Sequence, residues 1–199
     1  MSERTSTLDA SRAGEIGSTK PGQVDSRVIH DGKIVNLAID TARFPDGSTG
    51  QIELVRHSGA AAVVAVLGDA AAPDPIIVLL RQFRYAAGGN LFEVPAGRPD
   101  QQGEPWEKVA ARELEEETGY AADKLTHLTT IYTTPGFTDE RIHLFLAHGL
   151  SRGTINLDHD EFVEVVTLPL SQVLEAVRDG RIIDAKSIVA LLYYATYHR

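Results

Sequence analysis

Two apolar runs constrain this chain more than anything else in it. "AAAVVAVL" (60–67) and "PIIVLLRQFR" (75–84) are each of strand length, and "GDAAAPD" between them has turn chemistry. Further short strands are expected at "LFEVPAG" (91–97), where the chain then enters a loop, and near 126–133, 141–148 and 161–168. Helices are expected from about Pro105 to Thr118, near 171–179 and near 184–197. Pro105 falls at an early helical position, Gly119 where a helix stop belongs, and Asp184 is an N-cap residue. Strands and helices mix without strict βαβ alternation, so the expected fold is α/β, a mixed sheet sandwiched by helices.

The N-terminal part reads differently. Residues 1–23 are polar, rich in Ser, Thr and Gly, and lack an apolar period, which is the composition of a disordered tail. Residues 24–57 carry β-branched residues around Asp31-Gly32 and again around Asp46-Gly47, two turn signals that make this a small antiparallel β element. It is expected to pack beside the main domain, residues 58–199, or against a second subunit. The 199-residue length suits one good-sized core with such an appendage.

Composition excludes several classes. There is no cysteine, hence no disulfide and no thiolate metal site. A net charge of -9 argues against non-specific nucleic-acid binding, which needs a basic footprint. It does not argue against a small anionic substrate, provided metal ions sit between carboxylates and phosphates. No apolar leader segment or bilayer-length stretch is visible, so a cytoplasmic protein without a membrane partner is expected.

The chemistry is concentrated in "ARELEEETGY" (111–120). On a helix, Trp106, Val109, Ala110 and Leu114 form a core-facing stripe. Glu113, Glu116 and Glu117, at i, i+3 and i+4, stack on a different face. Like charges at that spacing destabilise a helix by about 0.2–0.5 kcal/mol per pair, and carboxylates near its C-terminus also oppose the helix dipole. Arg112 relieves part of this. Two readings fit the helix alone: a solvated acidic face, common enough on surfaces, or a cage for Mg²⁺ or Mn²⁺, hard cations that take oxygen ligands.

The surroundings bear on the choice. Gly97, six residues, Glu104, seven residues, then Arg112-Glu113-Leu114-Glu115-Glu116-Glu117-Thr118-Gly119-Tyr120 resembles the signature of the Nudix hydrolases. That signature is Gly, five residues, Glu, seven residues, Arg-Glu-aliphatic-any-Glu-Glu-any-Gly-aliphatic. The chain departs from it by one extra residue in the first spacer, a loop, and by Tyr120 at the last position. Neither departure touches a carboxylate. "LLRQFRYAAGGNLFEVPAG" (79–97), "TTPGFTDERIHLFLA" (133–147) and "DEFVEVVTLPL" (160–170) resemble the ADP-ribose and ADP-sugar pyrophosphatase branch.

The resemblance implies a Nudix-type α/β/α sandwich and metal-dependent hydrolysis of a nucleoside diphosphate linked to a second moiety. By position, Glu113 and Glu117 would be principal metal ligands, Glu116 a further ligand or a water-bridged contact, and the Ala96 carbonyl a backbone ligand, with Glu116 or Glu117 the alternative base. Arg112 would orient a glutamate, and Glu104 would tie the loop to the helix. Glu161 matches the branch's loop glutamate, which serves as general base or late metal ligand. Arg84 matches its phosphate-contacting arginine, with Arg56, Glu93 and Glu140 as further substrate contacts. Each also has a bland reading: a solvated loop for Glu161, a strand-end charge for Arg84, a structural hydrogen bond for Glu93, a loop brace for Glu140. Phe44 is a candidate to stack on the base, or a core residue of its hairpin. The implied substrate is a nucleoside diphosphate sugar, ADP-ribose foremost, the implied cofactor Mg²⁺ with Mn²⁺ as alternative, and the implied assembly a homodimer. GDP-mannose or another sugar nucleotide, a nucleoside triphosphate, or a sensor that binds without cleaving are the competing readings.

Overall fold

The computed structural model describes residues 22–157 and 162–199. The chain divides between Val55 and Arg56 into two compact units. The first is a three-stranded antiparallel meander of β1 (Gln23–Asp31), β2 (Asn36–Arg43) and β3 (Thr49–Arg56). Both turn signals fall where expected. Asp31-Gly32 opens the β1–β2 connection, and Gly47, at φ +86°, closes the β2–β3 turn while Asp46 accepts from the Ser48 amide at 2.9 Å. Phe44 is exposed and lies over Gly50, where any side chain would collide with its ring. The expected tail lies outside the described residues as far as residue 21, and its last residue, Gln23, instead begins β1.

The second unit is built on a seven-stranded mixed sheet. Its strands are β4 (Ala60–Leu67), β5 (Ile76–Arg84), β6 (Gly89–Glu93), β7 (Ala96–Gly97), β8 (Tyr120–Tyr132), β9 (Arg141–Arg152) and β10 (Val163–Pro169). The order across the sheet is β10-β5-β4-β9-β8, with β6 paired to β5 and β7 to β4. Only the β4–β9 ladder is parallel among these pairings. The apolar run of β4 is buried along its length because both faces of the sheet are covered. Ala60, Ala62, Val64 and Val66 face α2 (Leu170–Arg178) and α3 (Ala185–Tyr197), whose Leu170, Val173, Leu191 and Tyr194 complete that layer. Ala61, Val63 and Ala65 face α1 (Trp106–Thr118) through Val109, Ala110 and Leu114. The period-2 alternation of one strand therefore feeds two cores, and the expected α/β/α sandwich is borne out. None of the helices among the described residues is long and apolar enough to cross a membrane.

Several boundaries differ from the sequence-based expectation, each for a physical reason. The run 91–97 splits into β6 and β7 because Val94 and Pro95 leave the ladder. Val94 N–H donates to Ser187 Oγ at 2.8 Å, and the Pro95 carbonyl accepts from Val63 N–H at 2.9 Å. Pro105 sits at the N-cap of α1 rather than inside it. The eighth strand begins six residues before 126, and the ninth runs on to Arg152, because the two continue as a paired ribbon through sequence with no alternating strand pattern of its own. Gly119 stops α1 as expected, at φ +69° with its N–H on the Glu115 carbonyl at 2.8 Å. Asp184 caps α3 by accepting from the Ser187 amide at 3.0 Å.

Candidate active site

The β6–β7 segment and α1 bring the acidic residues together. Val109, Ala110 and Leu114 bury one stripe of α1, which turns Glu113 and Glu117 toward the strand that carries Ala96 and Gly97. Both glutamates are buried, at 8% and 2% exposure. Glu117 Oε2 accepts from Ala96 N–H at 2.9 Å, which joins helix to strand. A Cβ at position 97 would collide with the Glu113 carboxyl group, so glycine there makes room for that carboxylate. Glu116, on the same face, is less buried.

Arg112 is shared among four carboxylates. Its Nη1 donates to Glu113 at 2.9 Å and to Glu116 at 3.1 Å, and its Nη2 donates to the Arg98 carbonyl at 2.8 Å. Its Nε lies 3.3 Å from Asp100 and 3.7 Å from Glu104, without hydrogen-bonding geometry to either. Burial disfavours the guanidinium charge, yet Glu113, Glu116 and Asp100 outweigh it and hold its pKa above the ordinary value. Glu104 accepts from the Asp100 amide at 2.9 Å and so connects the loop before the helix to Arg112.

A second charged group stands at the end of β5 and the start of α3. Glu93, 1% exposed, accepts a bidentate pair from Arg84, Nε to Oε1 at 2.8 Å and Nη2 to Oε2 at 2.9 Å. Lys186 Nζ also donates to Glu93 Oε2, and to Asp184 Oδ2 at 3.1 Å. Burial pushes the Glu93 carboxyl up, but the Arg84 hydrogen bonds and the Lys186 charge outweigh burial and hold it below the usual value. Arg84 is raised, first by its hydrogen bonds to Glu93 and then by the fields of Glu93, Glu117 and Asp184. The Glu117 field puts Arg84 within electrostatic reach of the acidic helix.

The remaining expected residues are held by local partners. Arg56 lies 3.4 Å from Asp139, which also accepts from the His57 amide at 2.8 Å. Glu140 accepts from Thr133 Oγ1 at 2.7 Å and lies 3.3 Å from His57 Nδ1. Glu161 lies outside the described residues. Lys186 was not anticipated. Its partner Glu93 is 93 positions away, and no local pattern announces such a pairing.

The donors suit a hard divalent cation. They are oxygens, two of the carboxylates are withdrawn from bulk water, and the missing Cβ of Gly97 lets the Glu113 carboxylate lie against the strand. Among the described residues, no group of three or more His, Cys, Asp or Glu converges tightly enough to enclose a metal ion.

Known proteins resemble this chain over most of its length. The NUDIX domain profile matches residues 56–191. An ADP-ribose pyrophosphatase of Bacillus subtilis is 42% identical over 167 residues, which is 83% of this chain and 87% of that protein. A methanol dehydrogenase activator of Bacillus methanolicus is 38% identical over 172 residues, covering 85% and 90%. A crystal structure of an ADP compounds hydrolase superposes with a TM-score of 0.75 over 91% of this chain and 95% of that one, at 20% identity, which speaks to the fold alone. A family match spanning most of the chain, with the acidic helix inside it, establishes that this protein belongs to the Nudix hydrolase superfamily.

Proposed function

We propose that the protein hydrolyses the pyrophosphate bond of a nucleoside diphosphate sugar, ADP-ribose foremost, giving AMP and ribose 5-phosphate. The observation that carries this reading is the buried Glu113 and Glu117 carboxylates facing the Ala96–Gly97 strand, in a chain 42% identical to an ADP-ribose pyrophosphatase. Hydrolysis in this family depends on a divalent metal ion. Glu113, Glu116, Glu117 and the Ala96 carbonyl would hold it here, as Mg²⁺ or Mn²⁺. Bound there, such ions neutralise the charge of the pyrophosphate and raise the nucleophilicity of water.

The chain's own groups do the rest. Arg112 holds the Glu113 and Glu116 carboxylates in fixed directions through its fork. Arg84, partly exposed beside Glu93, receives phosphate oxygens and stabilises the leaving phosphate. Water attacks one phosphorus in line, the bond from that phosphorus to the bridging oxygen breaks, and the bridging oxygen departs with the other phosphate. Glu161 takes the water's proton. Arg56, Glu93 and Glu140 serve substrate binding, Glu93 by orienting Arg84 until a phosphate takes its place. Residues 24–57 form the homodimer contact, for which the exposed Val24, Val28 and Ile29 of β1 offer apolar surface.

Incubation with ADP-ribose, GDP-mannose, UDP-glucose and a nucleoside triphosphate mixture plus Mg²⁺, with identification of products, tests the reading. AMP and ribose 5-phosphate from ADP-ribose are expected; release of pyrophosphate from triphosphates alone would replace it. Glu161→Gln should lower turnover by about 10²-fold or more and remove the acidic limb of the pH–rate profile. An unchanged profile would take Glu161 out of the base role.

A further inference from the structure

We propose that Lys186 is a positioning residue, the standing counter-ion of Glu93 that lets Arg84 exchange Glu93 for a substrate phosphate. The inference rests on the proposed role of Arg84. An arginine fork can bind a carboxylate or a phosphate bidentately, so Glu93 competes with the pyrophosphate for the same donors. Arg84's side chain is 40% exposed and that of Glu93 2%. If Arg84 turns to a phosphate, Glu93 cannot follow into water, and a buried carboxylate without a counter-charge is strongly unfavourable.

Lys186 is placed to prevent that. Its side chain is 12% exposed, and its ammonium contacts the same Glu93 oxygen that Arg84 Nη2 holds. Its direction is set by the α3 N-terminus, because Asp184 Oδ2 accepts from Lys186 Nζ, Ser187 N–H and Ser187 Oγ together. Ser187 Oγ in turn accepts from Val94 N–H, next to Glu93 in sequence. Arg84, Lys186, Glu93 and Asp184 thus form a charge-balanced quartet with one outward-facing cation and one fixed cation. The fixed cation keeps Glu93 compensated while the outward one moves.

The alternative is that Lys186 only pins α3 to β6, and a variant series separates the two. Lys186→Met should raise KM for ADP-ribose about tenfold with kcat within about threefold, and should weaken calorimetric binding of inorganic pyrophosphate by a similar factor. Lys186→Arg should restore both. Adding Glu93→Gln to Lys186→Met should return pyrophosphate affinity to that of Glu93→Gln alone, because a neutral amide in place of the carboxylate needs no counter-ion. Unchanged KM and affinity in Lys186→Met would overturn the proposal, as would a folded double variant that binds no better than Lys186→Met. If Lys186→Met does not fold, the comparison of Glu93→Gln with the double variant decides: equal affinity supports the proposal, a further tenfold loss refutes it. A wild-type protein that cleaves no sugar nucleotide would remove the functional reading, while the pyrophosphate titrations would still judge Lys186. Absence of pyrophosphate binding by wild type would sink the Lys186 proposal itself.

Discussion

Two clusters of buried carboxylates lie in one domain and are compensated in opposite ways. At Glu93, two carboxylates meet two cations: Glu93 and Asp184 against Arg84 and Lys186. On α1, Arg112 is divided among Asp100, Glu104, Glu113 and Glu116, while Glu117 is buried on the same face. A matched set of charges is a fastening between elements, and here it ties β5 and β6 to α3. Several carboxylates gathered around one shared arginine make a region of negative potential, which favours the approach of further positive charge. The first cluster is balanced within the protein, whereas the second gathers negative charge on one face of a helix.

This contrast should appear when each cluster is neutralised without changing shape. Glu117→Gln keeps an acceptor for the Ala96 amide, so thermal stability should hold or rise while turnover falls about 10³-fold. Unfolding scans beside steady-state rates read both. A turnover that survives the change would place Glu117 with the structural charges instead.

Glu93→Gln should do the reverse to stability, lowering it by about 3 kcal/mol in urea unfolding because two cations lose their common partner. The pH dependence follows from the depressed carboxyl. The unfolded chain takes up this proton near the ordinary value of 4.5, the folded chain only at lower pH. The stabilisation is therefore fully present above about pH 4.5 and is lost as pH falls through the folded value. Wild type should lose stability across that window more steeply than Glu93→Gln. Parallel acid limbs would show that Glu93 is not held down.

Gly97→Ala gives the smallest of the expected effects. The new methyl group meets the Glu113 carboxylate, which can swing aside at the expense of its bond to Arg112. A loss of about tenfold in kcat/KM is expected, with the fold retained. Wild-type kinetics in this variant would show that the position of Glu113 does not matter to the reaction.

The acidic cluster was far more legible in the sequence than the balanced one. Glu113, Glu116 and Glu117 share a face by helical period, Gly119 ends their helix, and Arg112 sits one and four positions from two of its partners, so every relation is local. The same holds for the Asp184 cap, three residues from its donor. Glu93 was visible only as a residue leading into the Ala96–Gly97 segment, since its partner Lys186 belongs to a helix distant in the chain and the pairing arises from how the sheet and α3 pack. The Val94–Pro95 break is likewise tertiary, because Val94 leaves the ladder for Ser187. The early start of β8 was hidden for a different reason: residues 121–125 are mostly polar or small and gain strand structure from pairing with β9 rather than from their own pattern.

Titration with Mn²⁺, followed by water-proton relaxation, addresses the excess of acid on α1 directly. Wild type should take up Mn²⁺ at micromolar to millimolar supply, and Glu113→Gln/Glu117→Gln should lose that uptake while keeping its fold. Equal uptake by both proteins, or none by wild type at millimolar Mn²⁺, would contradict the assignment of this face to divalent cations.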